Sequence, residues 1–240
     1  MHRSATAWLT IAGLALISAL ALLVVNRLTD GVDAAIINFV RQPTLDGLLA
    51  PLELVTELGS TWAVTAVAGV LFVVLVLRGN PRWAIASALT IGIASLLNSG
   101  FKRLIDRVRP DLLEPLVVEH GYAFPSGHSM IGATAWGIVA VVIWRSDLRP
   151  GLRRWLVGAC VLLIALIGLS RVYLGVHFPS DVLAGWTAGA LIVLWYAALT
   201  RRLGEPTVAA GGLSAGPAAR DGAAAAADPA GPRSDPPARR

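Results

Sequence analysis

The chain has 240 residues, of which 55% are hydrophobic and only 15% are charged, and its mean hydropathy is +0.67. These values exclude an ordinary soluble domain and predict an integral membrane protein. The formal charge of +5 is spread over short loops and the C-terminal region, without a basic face interleaved with aromatic residues, so we expect no nucleic-acid partner. The single cysteine, Cys160, excludes an intramolecular disulfide.

Six apolar segments are predicted to span a membrane, because a helix needs about 20 apolar residues to cross roughly 30 Å of hydrocarbon. They run from Ala7 to Val25, Thr61 to Leu77, Trp83 to Leu97, Met130 to Trp144, Trp155 to Leu169, and Val182 to Leu199. The predicted fold is therefore all-α, a six-helix transmembrane bundle over residues 1–200. A short interfacial helix is expected between the first two spans.

Residues 201–240 differ from the rest of the chain. They are rich in Ala, Gly and Pro, carry scattered charges and show no apolar periodicity. Such a segment cannot bury enough apolar surface to become ordered. We predict a disordered cytoplasmic tail in this region.

Arginine residues orient the predicted bundle. They lie between the second and third spans, between the fourth and fifth, and after the sixth: Arg78, Arg82, Arg145, Arg149, Arg153, Arg154, Arg201 and Arg202. All of these positions fall on one side, and the positive-inside rule makes that side cytoplasmic. We therefore expect a multi-pass protein of the plasma membrane with both termini in the cytoplasm.

A further basic cluster follows the third span, on the predicted outer side, where basic residues are normally fewer. It contains Lys102, Arg103, Arg107 and Arg109. A solvated charge run or a headgroup anchor is the ordinary interpretation. However, Lys102 is the only lysine of the chain, which favours a specific site. Its ammonium binds a phosphate oxygen as a point charge, and Arg109 offers a planar fork.

The sequence PSGH, at residues 125–128, precedes the fourth span. Backbone amides near Ser126 and Gly127 can point at an anion, and the helix N-terminus adds positive potential. An ordinary N-cap turn explains Ser126 and Gly127 almost as well. It does not explain His128, since an imidazole at the membrane boundary needs a partner or a function. Nearby His120 matches no motif and is interpreted as a loop residue.

A third polar motif joins the last two spans. Arg171 ends the fifth span, and His177 and Asp181 flank the start of the sixth. A carboxylate four residues after a histidine can accept a hydrogen bond from one ring nitrogen and leave the other free to attack, although an isolated pair is more often a cap or an ion pair. The triplet Phe-Pro-Ser at residues 124–126 recurs at 178–180, so both triplets are expected to start helices and to lie close together.

In order, K-x6-RP, PSGH and SR-x5-H-x3-D resemble the signature of the type 2 phosphatidic acid phosphatase superfamily, and every signature position is occupied. The resemblance implies that His177 attacks phosphorus and forms a phosphohistidine, that Asp181 orients it, and that His128 protonates the leaving oxygen. It also implies that a set of donors holds the phosphoryl oxygens: Lys102, Arg109, Ser126, Gly127 and Arg171. No metal or other cofactor is implied.

The sequence therefore predicts an integral-membrane lipid phosphatase with its active site on the extracytoplasmic face. Its expected partner is a lipid phosphate substrate such as a polyprenyl diphosphate, phosphatidic acid or phosphatidylglycerophosphate. Two alternatives stay open, a vanadate-dependent peroxidase-like enzyme and a non-catalytic membrane lipid-binding protein with the same fold. Six spans argue against the first alternative, and the intact His128, His177 and Asp181 argue against the second.

Overall fold

The computed structural model describes residues 2–42, 47–112 and 114–204. These ranges contain α-helices and no strand, which confirms the all-α prediction. The helices are α1 (His2–Val25), α2 (Asp30–Val40), α3 (Leu49–Glu57), α4 (Thr61–Leu77), α5 (Pro81–Ile105), α6 (Gly127–Trp144), α7 (Pro150–Tyr173) and α8 (Pro179–Thr200). Beyond residue 204, the predicted tail lies outside the described residues.

The helices that can cross a membrane coincide with the predicted spans. In the described ranges, α1, α5, α6, α7 and α8 are each long and apolar enough, and α3 with α4 forms a sixth candidate that bends by 47°. Most helices extend past the predicted bounds. Lys102 and Arg103, expected in a loop, lie in the last turn of α5. Basic side chains are favourable at a helix C-terminus, so the helix continues beyond the end of the apolar segment.

The segment between the first two spans holds two short helices, α2 and α3, where one was expected. Proline at position 43 follows the end of α2 closely, and a proline disfavours helical backbone at the preceding residue. Both short helices lie at the end of the bundle that carries the polar motifs, because α2 and α3 pack on α7 near its C-terminus.

Close packing of α6 against α8 determines the position of the polar motifs. A Cβ atom at Gly185 would lie 2.8 Å from the carbonyl oxygen of Ser126, and one at Gly189 would lie 2.8 Å from the Cβ of Ala133. Small residues four apart allow helix backbones to approach each other in a membrane. These glycines therefore bring the start of α8 against the start of α6.

Large apolar side chains cover the outside of the bundle. Leu77, Leu96 and Trp155 are 79%, 74% and 81% exposed, respectively. Such a surface fits contact with lipid, since an aqueous surface of this kind would be unusually apolar. The bundle has two chemically different ends: α5 and α7 end, and α6 and α8 begin, at the end with the three motifs, and the arginine-rich loops lie at the other.

Candidate active site

The PSGH motif forms the N-terminal cap of α6. The Ser126 side chain is fully buried, and its Oγ accepts hydrogen bonds from the backbone NH of Ser129 at 3.5 Å and from the Ser129 hydroxyl at 3.0 Å. Gly127 is the first helical residue, and a Cβ atom there would lie 3.2 Å from Nδ2 of Asn98. The side chain of Ser126 is thus used in the cap, which leaves the backbone at Gly127 facing the site.

The two Phe-Pro-Ser triplets contact each other. The backbone NH of Ser126 donates to the carbonyl oxygen of Asp181 at 3.1 Å. One triplet directly precedes α6, and the other contains the first residues of α8. The prediction that both start helices and lie close together is confirmed, and two helix N-termini face the same region.

His177 lies between an arginine and a carboxylate. Its Nε2 is 3.2 Å from Nη1 of Arg109, and its Nδ1 is 3.5 Å from Oδ2 of Asp181. Arginine has no acceptor, so Nε2 accepts from Arg109 and the ring proton lies on Nδ1. The Nδ1 to Asp181 distance is longer than a normal hydrogen bond, and Nδ1 has no hydrogen-bond partner among the described residues. A small rotation of the ring toward Asp181 would bring Nδ1 within hydrogen-bond distance of the carboxylate.

Burial keeps the imidazole of His177 neutral. The side chain is 2% exposed, and burial lowers the pKa of His177 to about 4, although the Asp181 carboxylate acts in the opposite direction. The positive charges of Arg109 and Arg171 contribute to this lowering. His177 is therefore unprotonated near neutral pH, as a nitrogen nucleophile must be.

Asp181 is fixed by two further contacts. Its Oδ2 accepts from the backbone NH of Phe178 at 2.9 Å, and its Oδ1 lies 2.6 Å from Nη1 of Arg107. The carboxylate is completely buried, so the Arg107 charge compensates for its lost hydration. Arg107 holds Asp181 in the orientation that faces His177.

Asp33 of α2 completes this ion-pair network. Its carboxylate lies 2.9 Å from Nη2 of Arg107 and accepts from the backbone NH and hydroxyl of Ser180, at 3.0 and 2.6 Å. Neither Arg107 nor Asp33 was predicted as a site residue. For Asp33, the only sequence signal is a second carboxylate, after Asp30, in the first turn of a mostly apolar helical segment. Arg107 stands at an unspecified position inside K-x6-RP.

Arg109 connects the loop before α6 to the loop before α8. Besides His177, its guanidinium donates to three carbonyl oxygens, those of Gly121 at 3.0 Å, His120 at 3.0 Å and Val176 at 2.8 Å. These bonds hold the guanidinium beside Nε2 of His177. A planar arginine with several fixed donors is suited to this position.

A carboxylate that the sequence did not predict, that of Glu119, lies between two arginines of the site. It forms a very short hydrogen bond with Nη2 of Arg171, and its other oxygen is 3.7 Å from Nη2 of Arg109. Burial raises the pKa of Glu119, but the charges of Arg171, His128 and Arg109 outweigh it and give a net lowered pKa. Arg171 is buried and also donates to the Thr56 hydroxyl at 2.9 Å.

A cavity of about 430 Å³ brings most of these groups together. Five predicted site residues line it: Lys102, Arg109, Gly127, His128 and His177. The other three, Ser126, Arg171 and Asp181, are buried behind its wall. Lys102 donates to the carbonyl oxygen of Tyr122, and His120, interpreted as a loop residue, also lines the cavity. In the described part of the chain, no group of three or more His, Cys, Asp or Glu side chains is placed to hold a metal ion.

The chain is 43% identical over 105 residues to phosphatidylglycerophosphatase B of Bacillus subtilis, an alignment that covers 43% of this chain and about half, 51%, of that protein. It is 30% identical over 164 residues to an undecaprenyl-diphosphatase of Sulfolobus acidocaldarius, which covers 65% of this chain and 71% of that protein. The crystal structure of the transmembrane PAP2 type phosphatidylglycerolphosphate phosphatase from Bacillus subtilis matches with a TM-score of 0.75 and 27% identity, over 81% of this chain and 97% of that one.

The family model of the PAP2 superfamily matches residues 83–205, a range that contains all three polar motifs. The resemblance drawn from those motifs is therefore confirmed. By this match and the relatives above, the chain belongs to the PAP2 superfamily.

Proposed function

We propose that this protein is an integral-membrane lipid phosphatase that works through a phosphohistidine at His177. The observation that carries the proposal is the environment of this imidazole, which is buried and neutral, with Nε2 at Arg109 and Nδ1 toward Asp181. The relatives named above are phosphatases of lipid phosphates, which supports the same reaction class. They give no support to the peroxidase or binding-protein alternatives.

In the first step, Nε2 of His177 attacks phosphorus in line and the bond from phosphorus to the lipid oxygen breaks. The leaving oxygen takes a proton from His128, which lines the same cavity. Asp181 accepts the Nδ1 hydrogen bond and stabilises the positive charge that develops on the ring. The products of this step are the dephosphorylated lipid and a phosphohistidine.

In the second step, water attacks the phosphohistidine. His128, now neutral, accepts a proton from the water, and the phosphorus–nitrogen bond breaks. This restores the neutral His177 and the protonated His128 and releases inorganic phosphate. After one complete turnover, both histidines have returned to their original protonation states.

Positive charges and backbone amides stabilise the phosphoryl group in this proposal. Lys102 and Arg109 line the cavity directly. Arg171 is paired with Glu119, which lines the cavity, so Arg171 would contact the phosphoryl group once that group replaces the Glu119 carboxylate. The backbone at Gly127 adds donors at the N-terminus of α6. Fixed donors of this kind offset the charge that builds on the equatorial oxygens in the transition state.

The shape of the cavity supports a lipid substrate. Along α5 it extends from Lys102 to Ile91, about 16 Å at the helical rise. Val64 of α4 and Ile131 of α6 add apolar walls. If the phosphoryl group of a lipid binds at the polar end, the hydrocarbon chain of that lipid would lie between α4 and α5. The arginine-rich loops at the other end of the bundle support an extracytoplasmic site in the plasma membrane.

Phosphate release by the detergent-purified protein in EDTA tests this function. The substrates are undecaprenyl diphosphate, phosphatidic acid, lysophosphatidic acid and phosphatidylglycerophosphate. We expect release from at least one of them and a loss of about 1,000-fold or more in His177→Ala. His120→Ala is the matched control, since it removes a second imidazole from the cavity wall without removing the nucleophile. Persistent release in His177→Ala would exclude the proposed nucleophile.

A trapping experiment tests the intermediate separately. The enzyme is mixed with lipid substrate carrying radioactive phosphate, quenched within milliseconds, and divided between acid and alkali. A phosphohistidine is stable in alkali and is lost in acid, whereas a phosphoserine shows the reverse. We expect an alkali-stable label in the wild type and in His120→Ala, and none in His177→Ala. Acid-stable label, or metal-dependent release, would require another mechanism.

A further inference from the structure

A second cavity lies at the opposite end of the bundle from the candidate active site. It measures about 850 Å³ and is formed where α6 ends, α7 begins and α8 ends. Its mouth carries three arginines, Arg145, Arg153 and Arg201, against one carboxylate, that of Asp147. No residue lines both cavities, and the proposed reaction makes no use of this one. We call it the arginine cleft.

The inner wall of the arginine cleft is apolar. Val157, Val161 and Ile164 follow one face of α7, and Val193 faces them from α8. Val161 is 59% exposed, so the wall is open to a ligand. From Arg153 to Ile164 the cleft runs about 16 Å along the helix. The cleft therefore combines a basic mouth with an apolar groove that enters the membrane.

Two of the arginines at the mouth, Arg145 and Arg153, are held in place by contacts with the protein. Nη1 of Arg145 donates to the Thr200 hydroxyl at 3.2 Å, and Nη2 donates to the Ala197 carbonyl at 2.5 Å. The guanidinium of Arg153 lies over the Trp144 ring, 4.9 Å from its centroid. Its buried Nε has no hydrogen-bond partner among the described residues. The charge of this fixed guanidinium favours an anionic ligand at the mouth.

We infer that the arginine cleft binds an anionic glycerophospholipid, with the headgroup phosphate at Arg153 and Arg201 and an acyl chain along Val157 and Val161. The excess of arginine over carboxylate matches a negative headgroup and disfavours a zwitterionic one. The apolar groove favours a lipid over free phosphate, because free phosphate has no apolar part to contact it. The cleft would hold this lipid during turnover, since the active site lies at the other end.

Native mass spectrometry of the detergent-purified full chain tests the inference. The protein is incubated with phosphatidylglycerol or phosphatidylcholine, and excess inorganic phosphate is present to compete for the candidate active site. We expect preferential retention of phosphatidylglycerol. The double variant Arg153→Gln, Arg201→Gln should lower that retention about 30-fold, on the order of fivefold for each arginine. The matched double variant is Arg82→Gln, Arg154→Gln, which removes two exposed arginines from the same end outside the cleft.

A second pair of variants tests the groove without changing any charge. Val161→Trp fills the apolar wall and should also reduce retention of phosphatidylglycerol. Leu162→Trp, at a 60% exposed neighbour that does not line the cleft, should leave it unchanged. Equal retention of the two lipids would overturn the inference. So would loss of the retained lipid when the phosphate concentration is raised above that excess, or equal effects of the cleft variants and their controls in proteins that keep the wild-type elution profile.

Discussion

Glu119 forms an ion pair with Arg171 inside the candidate active site, and its second carboxylate oxygen faces Arg109. The resemblance to the family implies that these two arginines hold phosphoryl oxygens. In this structure a carboxylate of the chain itself lies between them. A phosphoryl group that binds to both arginines must therefore replace the carboxylate, and the two anions compete for one position.

Glu119→Gln is expected to strengthen binding of inorganic phosphate. The variant keeps the size of the side chain and removes the competing charge. The Glu119 side chain is 29% exposed, so solvent screens its ion pair with Arg171. The gain is therefore modest, and we expect the inhibition constant for phosphate to fall roughly three- to tenfold. The measurement is inhibition of phosphate release from a lipid substrate at increasing phosphate concentrations.

Glu114→Gln is the matched control for this prediction. Glu114 is an exposed residue near Glu119 in the chain, and it does not line the cavity of the candidate active site. Its removal should leave phosphate inhibition unchanged. Weaker inhibition in Glu119→Gln than in the wild type would mean that Glu119 shapes the arginine pair for the substrate and does not compete with it.

Arg107 is expected to act as a positioning residue for Asp181. Arg107→Gln leaves the buried carboxylates of Asp181 and Asp33 without their shared cation, a change that costs about 3–5 kcal/mol for a buried pair. We expect kcat to fall by about 100-fold or more with little change in KM, because Asp181 acts on the reacting histidine. Arg107→Lys should recover part of kcat.

The neighbouring Arg103→Gln is the control for Arg107. Arg103 is exposed, so loss of its charge should change neither kcat nor the melting temperature. If Arg107→Gln lowers the melting temperature but retains wild-type kcat at low temperature, its contribution is to stability alone. A lower kcat with an unchanged KM would instead show that Arg107 positions Asp181.

The position of the site was predictable because it depends on local patterns. Hydropathy places the spans, and the alternation of spans places the ends of α5 and α7 beside the starts of α6 and α8. His128, His177 and Asp181 belong to short motifs at those ends. Helix bounds were less accurate, since a charged residue ends an apolar segment and does not end the helix that carries it.

The supporting residues were not predictable, because their roles depend on contacts between distant parts of the chain. Asp33 reaches Ser180 and Arg107 from α2, and Thr56 reaches Arg171 from α3. No spacing rule connects these positions. Glu119 belongs to none of the three sequence motifs, and only its tertiary position brings it between two arginines.

The low pKa of His177 predicts the acid limb of the pH profile. As the proposed nucleophile, His177 must be neutral, and its pKa is about 4, so kcat/KM should be independent of this group above pH 4 and fall about tenfold per unit below it. In the unfolded chain the pKa of this histidine is about 6.5, so the unfolded chain takes up a proton at a higher pH than the folded protein does. The fold therefore loses stability between about pH 6.5 and 4. An acid limb near pH 6.5 would indicate a solvated imidazole.

His128 is expected to matter most for poor leaving groups. As general acid it protonates an alkoxide-like lipid oxygen, whereas an aryl phosphate with an acidic phenol needs little protonation. His128→Ala should lower release from a lipid alkyl phosphate by about 100- to 10,000-fold and retain most release from an aryl phosphate. His120→Ala serves as control and should retain both rates. Equal losses for the two substrates would assign His128 to phosphate binding.

Gly185 is expected to be intolerant of any side chain, because α8 contacts α6 there. A Cβ atom would lie 2.8 Å from the Ser126 carbonyl and 2.9 Å from the Ser129 Cβ. Gly185→Ala should separate the two Phe-Pro-Ser turns, lower the free energy of unfolding by about 1–3 kcal/mol and reduce kcat. Gly158→Ala is the control, since nothing lies within 4 Å of its added Cβ, and alanine should stabilise that helix by about 0.5–1 kcal/mol. Thermal unfolding in detergent with parallel assays compares the two, and equal behaviour would exclude a tight contact at Gly185.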